Sequence, residues 1–297
     1  MLAQCLVFYD VAQHAEALQG WRQTYDQLGR GRVCTRLAQL STPHVQVFRE
    51  AINIRVAQCG SAPSGRFSLA LSLASAGQSV SLLRGRQEFF VQTCTDSDLI
   101  VVSVDEQYLQ LLSSQGSSLC SRACGASSLN LPPEYQAVLG RQLNALIQSG
   151  NCGMALTEKH AEEQALECIL EVLERAVEHT RERGIDHAVS SYLVRRSQEL
   201  ALDCQQAPLT VLDICRHLRV SRRTLQRSFQ QVAGVRPVEY LRAIRLNAVR
   251  RRLQQTAPTE LSVAHAAVDQ GFFHLGHFAS YYKALFGECP SHTRRAA

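Results

Sequence analysis

The chain has 297 residues, 45% of them apolar, enough for two domains with separate cores. Its net charge of +5 is unevenly spread: Ser190–Ala297 carries 16 Lys and Arg against 7 Asp and Glu, a surplus of +9, and the remaining 189 residues sum to −4. A basic rear part points to a polyanionic partner, and no apolar run approaches the ~18 residues that a membrane span needs.

The opening "MLAQCLVFYDVAQHAEALQG" has no basic n-region, and Asp10 and His14 interrupt its apolar stretch, so no signal peptide is predicted. The eleven cysteines are odd in number and scattered singly, which favours a reducing, cytoplasmic setting over a disulfide framework. Strands are predicted next. "REAINIRVAQ" alternates Ile52, Ile54 and Val56 with polar residues, and "FSLALSLAS" alternates Leu69, Leu71 and Leu73. "DLIVVSVD" (Asp98–Asp105) is a continuous apolar run, as for a strand buried on both faces. Gly, Pro and Ser clusters punctuate these segments, and the spacing predicts a small barrel or sandwich.

Ser113–Pro133 is rich in Ser and Gly and reads as a mobile connection. Helices follow. "PPEYQAVLGRQLNALIQSG" starts with proline and ends with glycine. Thr157–Gly184 carries a stripe of Leu166, Ile169 or Leu170, Leu173, and Ala176 or Val177. Periodicity leaves its partner open: the stripe packs within its own domain or forms a dimer seam.

The rear part repeats one layout. "LTVLDICRHL" offers Thr210 as N-cap with Asp213 three residues on. Leu212, Cys215 and Leu218 are its expected inward face. After a break at Arg219-Val220, Ser221 caps "RRTLQRSFQQVAG", with Leu225, Phe229 and Val232 inward and Gly234 at its end. Arg222, Arg223, Gln226, Arg227 and Gln230 are left facing outward in the first turns of a second helix. Arg and Gln reach guanine and adenine edges bidentately. A second unit follows 52 residues later, with Ser262, Val263, Ala266 and Ala267, a break at Gly271-Phe272, then Phe278, Tyr282 and Phe286 ending at Gly287. Between them Pro237–Gln255 is predicted helical, with Leu241, Ile244, Ala248 and Val249 as its stripe. About 17 helical residues give roughly 25 Å, near the ~34 Å between successive major grooves.

These residues resemble the AraC/XylS family of transcription regulators. The match runs from roughly Ser191 to Arg295, a third of the chain, with Gly271-Phe272, Phe278, Tyr282-Lys283, Phe286-Gly287 and Pro290 at the signature positions. "FFHLGHFASYYKALFGECPS" looks most like the ethanolamine-operon and amine-responsive members. The resemblance implies an α+β chain in three parts. Residues 1–155 would be a cupin-like, strand-rich effector sensor and 156–190 a helical dimerisation or linker region. Residues 191–297 would be an all-α DNA-binding domain with units at about 210–234 and 262–287 joined by the helix 237–255. It implies base reading by Arg223, Gln226 and Arg227, with His274, His277 and Ser280 on the corresponding face of the second unit. Ser221, Arg222 and Lys283 would meet phosphates. Leu275 and Gly276 depart from the polar readers of many relatives, so phosphate contacts are expected to dominate there.

Implied partners are a double-stranded promoter operator, RNA polymerase, a small-molecule effector (an amine or other small metabolite) and a second copy in a homodimer. No cofactor is implied, and an activator is expected. Trp21, Tyr25, Arg49, Glu50 and Asn53 are candidates for lining the effector site. The alternative is a DNA-repair methyl acceptor, in which a cysteine–zinc module is fused to the same DNA-binding domain. Cys120, Cys124 and Cys152 begin such a ligand set, but Ala155 stands where a fourth thiolate is needed, and Cys168 falls inside a helix. No hydrolase, zincin or phosphate-loop motif appears, so no catalysis and no metal site are expected.

Overall fold

The computed structural model describes residues 1–74, 80–112, 128–129, 131–151, 157–176, 185–203 and 209–293. The expected mobile connection at Ser113–Pro133 falls mostly outside them, as do Cys120, Cys124, Cys152 and Ala155. The first half is built on two antiparallel sheets. The larger pairs β1 (Leu2–Phe8), β3 (Thr35–Ser41), β4 (Val45–Ile52), β9 (Ser97–Asp105), β6 (Arg66–Ser72), β7 (Val80–Arg84) and β10 (Ser128–Leu129) in that order. The smaller pairs β2 (Arg22–Gln27), β5 (Val56–Ser61) and β8 (Glu88–Gln92).

Strand alternation sends successive side chains to opposite faces of the larger sheet. Val45, Val47, Leu69, Leu71, Ile100, Val102 and Val104 face a helical layer of α3 (Pro133–Asn151) and α4 (Glu158–Ala176). Phe48, Val101 and Leu37 face the other way, where α1 (Val11–Glu16) and the smaller sheet cover them. The central strand β9 is covered on both sides, which is why it is apolar from Leu99 to Val102, and the buried Ser103 that follows is paired with Ser68, their hydroxyls 2.9 Å apart. A short α2 (Glu106–Leu112) follows it.

The alternating run at Ile52, Ile54 and Val56 is not one strand. Strand β4 stops at Ile52, the chain bends, and β5 starts at Val56 in the other sheet. All three side chains enter one cluster with Val11, Ala15 and Tyr25, so burial kept the alternation through the bend. The stripe on α4 is spent inside the chain: Leu166, Ile169, Val172 and Leu173 are buried in the sheet–helix core. Val177, at the far end of the expected stripe, lies outside the described residues.

The rear half is helical. Helix α5 (Ile185–Asp203) was not expected, and a boundary between residues 190 and 191 would cut through it. Val194 and Ala201 pack beneath the first helix pair, α6 (Val211–Leu218) and α7 (Arg222–Val232), against Ile214, Leu225 and Phe229. The inward face of α6 is Ile214 and Cys215, whereas the expected Leu212 is 54% exposed. The capping box between Thr210 and Asp213 fixes where the helix begins, and packing of Ile214 and Cys215 against Leu225 and Phe229 sets which side faces in. Arg219 ends α6 in the left-handed region, at φ 54°.

Helix α8 (Pro237–Gln255) is apolar on two sides rather than on one stripe. Tyr240, Leu241 and Ile244 enter the first unit's core, while Leu246, Val249 and Leu253 enter the second's. The expected Ala248 is only half-buried. A helix serving two cores cannot show a single-face period. The second unit is α9 (Val263–Asp269) and α10 (Leu275–Phe286), with Ala266, Ala267, Phe278, Tyr282 and Phe286 buried, and Gly287 at φ 72° ends α10. A 3-10 turn, Pro290–His292, follows.

Helix α8 is also fastened to the sheet half. Arg251 donates to Asp26, and Gln198 Nε2 reaches the other carboxylate oxygen at 3.2 Å. Arg250 bridges Asp10 at 2.8 Å and Glu288 at 2.6 Å. The Asn247 amide and the Gln27 backbone exchange two hydrogen bonds, both 2.9 Å. Gly31 N–H donates to Leu285 O at 2.9 Å, tying α10 to the same segment.

Candidate nucleic-acid interface

Helix α7 is held from below by Leu225 and Phe229, whose rings and side chains are fully buried. Its period then forces residues 222, 223, 226, 227 and 230 outward. All five, Arg222, Arg223, Gln226, Arg227 and Gln230, are exposed. Two arginines elsewhere in the rear half are held by acids, Arg216 by Asp213 and Arg252 by Asp269. Arg222, Arg223 and Arg227 meet no carboxylate among the described residues, so their charges stay available to a polyanion. Ser221 is the N-cap, accepting from Thr224 N–H at 3.0 Å.

The outward residues named from sequence are thus brought together on one face. They line a cleft against the start of α8, where Arg236, Pro237 and Arg242 form the other wall. Arg236 was not singled out in the sequence, yet it lines this cleft throughout; its place just before Pro237 at a helix start was the available signal.

On α10, His274, His277, Ser280 and Lys283 are all exposed. They lie on one helix, but their chemistry differs from that of the first face. The Ser280 hydroxyl donates to Gly276 O at 3.0 Å, within its own helix. His274 is the N-cap residue without a side-chain cap bond. Arg242 of α8 lies 4.1 Å over the Tyr281 ring, a cation–π contact that joins the two units across the linker helix.

A second polar site lies inside the sheet half. Glu50 is 3% exposed, and its Oε1 accepts from Tyr25 O–H at 2.7 Å and pairs with His14 Nε2 at 2.7 Å. His14 Nδ1 meets Thr35 Oγ1 at 2.7 Å, so the cluster satisfies itself. Burial and the Glu50 carboxylate push the Tyr25 phenol far above its ordinary range. Among the named effector candidates, Tyr25 and Glu50 meet here, and Trp21 lies nearby on the same sheet face, donating to Gln46 at 3.0 Å. Arg49 turns to the opposite face and binds Asp98 and Asn144, and Asn53 accepts from Cys34 N–H in the turn after β4. These two do not join the interior. Sequence reading missed His14, which sits on a short helix without a motif, and Gln39. The Gln39 amide is 1% exposed, and neither its nitrogen nor its oxygen has a partner.

Among the described residues no group of three His, Cys, Asp or Glu is placed to hold a metal ion. Cys168 is buried in α4, and burial, helped by Glu171 and Glu167, pushes its thiol up to about 11. A thiol so raised is a poor metal ligand and a poor nucleophile at neutral pH. Nor is any described helix long and apolar enough to cross a membrane.

Residues 214–296 match a family model described as a helix-turn-helix domain. The chain is 29% identical over 206 residues to a probable thc operon regulatory protein of Rhodococcus erythropolis, covering 66% of this chain and 61% of that protein. It is 42% identical over 76 residues to XylDLEGF operon transcriptional activator 1 of Pseudomonas putida, covering 26% of this chain and 23% of that protein. A solved transcriptional regulator with an AraC-type DNA-binding domain, from Chromobacterium violaceum, is 34% identical with a TM-score of 0.33. That likeness covers 36% of this chain and 93% of the solved one. The chain thus spans about three fifths of the first relative and under a quarter of the second.

Proposed function

Because the chain belongs to the AraC/XylS family of transcription regulators, we propose that it is a cytoplasmic, sequence-specific DNA-binding activator governed by a small molecule. One observation carries the reading: α7 presents Arg222, Arg223, Gln226, Arg227 and Gln230 exposed on a single face. Side chains in the first turns of such a helix lie along base edges when it enters a major groove. Arg223 and Arg227 pair with guanine edges and Gln226 with adenine, while Ser221, Arg222 and Lys283 meet phosphates. The linker helix α8, 19 residues and about 28 Å long, sets the second unit toward the next groove. There His274, His277 and Ser280 face the duplex.

Residues 1–155 act as the sensor, 156–190 as the connecting helical region and 191–297 as the DNA-binding part, with two copies on the operator and RNA polymerase as the recruited partner. The effector binds between the sheets. An unpaired buried amide costs stability, so Gln39 marks the position a ligand would satisfy, with Phe48 and Trp21 as neighbouring aromatic wall. Glu50, the interior carboxylate, is already held by His14 and Tyr25, which leaves a cationic amine without a counter-charge. A neutral effector with a donor and an acceptor fits better than an amine.

The test is nuclease protection and affinity on DNA from the chain's own upstream region, across a salt series. The proposal expects protection over two adjacent major grooves per copy and affinity falling steeply with salt. Sequence-indifferent binding at every salt concentration refutes it.

A further inference from the structure

Aligning the two reading helices on their N-caps, Ser221 and His274, superposes their buried positions: Leu225 falls on Phe278 and Phe229 on Tyr282. The exposed positions then pair Arg222 with Leu275, Arg223 with Gly276, Gln226 with Ala279 and Arg227 with Ser280. Four of the five outward positions of the first unit thus have small or apolar counterparts in the second, and the fifth, Gln230, pairs with Lys283. Leu275 is 44% exposed and Phe273, just before the cap, is 67% exposed. Among the described residues none covers them, and α10 carries no carboxylate to repel a phosphate backbone.

Gly276 gives an independent indication. Its φ is not in the left-handed region, and a Cβ built on it would meet no atom within 4 Å. The fold therefore accepts alanine there, and glycine in a helix is otherwise a cost. What glycine provides is room for a surface outside the chain to approach the backbone closely.

We infer that the second unit reads thymine. Leu275 and Ala279, with Phe273 at the edge, contact thymine 5-methyl groups in the major groove, and Gly276 lets α10 sit deep enough to reach them. Apolar side chains are the natural partners of that methyl. This inference rests on the DNA-binding reading above. The two units then divide the work: hydrogen bonding in one half-site, methyl recognition in the other.

The full-length chain is used to enrich duplexes from a random-sequence library, and affinity is measured on the enriched site with deoxyuridine replacing thymidine in one half at a time. Wild-type affinity should fall about fourfold per lost methyl, the factor expected for one buried methyl group, in one half only. In that half Leu275→Ala should bind thymidine and deoxyuridine DNA nearly alike. Gly276→Ala should bind several-fold more weakly with an unchanged or raised Tm, a pairing that a purely structural role for the glycine would not give. Equal wild-type binding to both DNAs in both halves, or a methyl effect that Leu275→Ala retains, overturns the inference, and wild-type affinity in Gly276→Ala overturns the close approach. If no sequence is enriched at all, the DNA-binding reading itself fails, and this inference with it.

Discussion

Replacing Arg251 with alanine should destabilise the junction between the halves, by an amount the local geometry sets. Asp26 is 1% exposed, with Arg251 on one oxygen and only the neutral Gln198 amide on the other. Burial already raises its pKa, and the charge and hydrogen bond of Arg251 only partly offset that. Breaking a buried pair by removing one member costs about 3–5 kcal/mol. Because the Arg251 side chain is 24% exposed, the lower end applies, about 3 kcal/mol. The pH dependence has a definite sign. A carboxylate whose folded pKa lies above its unfolded value contributes stability below that unfolded value, and loses it as pH rises through the folded pKa. Arg251→Ala should raise that folded pKa further, so its deficit should be larger at pH 8 than at pH 5. Urea unfolding followed by circular dichroism at both pH values measures this, with Asp26→Asn added to remove the orphaned charge. A loss under about 1 kcal/mol at pH 8, or a double variant no more stable than Arg251→Ala alone, would show that water already screens the pair.

Other outcomes follow from the same geometry. Asp10 behaves oppositely to Asp26: burial acts to raise it, but the charge and hydrogen bond of Arg250, with help from Gln254 and Ala12 N–H, hold it below 3.8. Its contribution is present above that value and lost as pH falls through the folded pKa, so acid titration of Asp10→Asn should lack part of the wild-type loss. Arg227→Ala should cost about 1–3 kcal/mol of DNA affinity and relax preference at one base pair; an equal loss on all sequences, read by competition binding, would make it a phosphate contact. Gln39→Leu should stabilise the effector-free chain by about 1–3 kcal/mol, since it removes an unpaired buried amide of similar shape, and reporter-gene assays should show the effector response gone.

The rear half was legible because local chemistry fixed it. Thr210, Ser221 and Ser262 cap helices where their sequence context predicts, and Leu225, Phe229, Phe278 and Tyr282 point inward. Errors arose where tertiary burial outweighed local period. Leu212 is exposed because Ile214 and Cys215 take the face against Leu225 and Phe229, and α8 hides its period by serving two cores. In the front half β9 was readable from its double-sided burial, while the bend between Ile52 and Val56 was masked by three inward side chains. The interior cluster joins His14, Tyr25, Thr35 and Glu50 from separate elements, and no spacing rule connects such distant positions. Gln39 was equally silent, since nothing in a sequence tells a buried glutamine with partners from one without.

The core beneath the first helix pair is not made by the rear half alone. Ala57 is buried in it, with Leu28 and Phe90 packed against it, all three supplied by the sheet half. An excised DNA-binding fragment beginning near residue 191 would present that apolar floor to water, besides losing the first turns of α5, the acid opposite Arg251 and one of the two acids that hold Arg250. In evolutionary terms, the rear half is a poor candidate for free exchange between proteins. A recombinant that paired it with a foreign front half would inherit an unfilled floor and an unmatched Arg251, and would first have to regain an Ala57-like contact and an acid opposite that arginine.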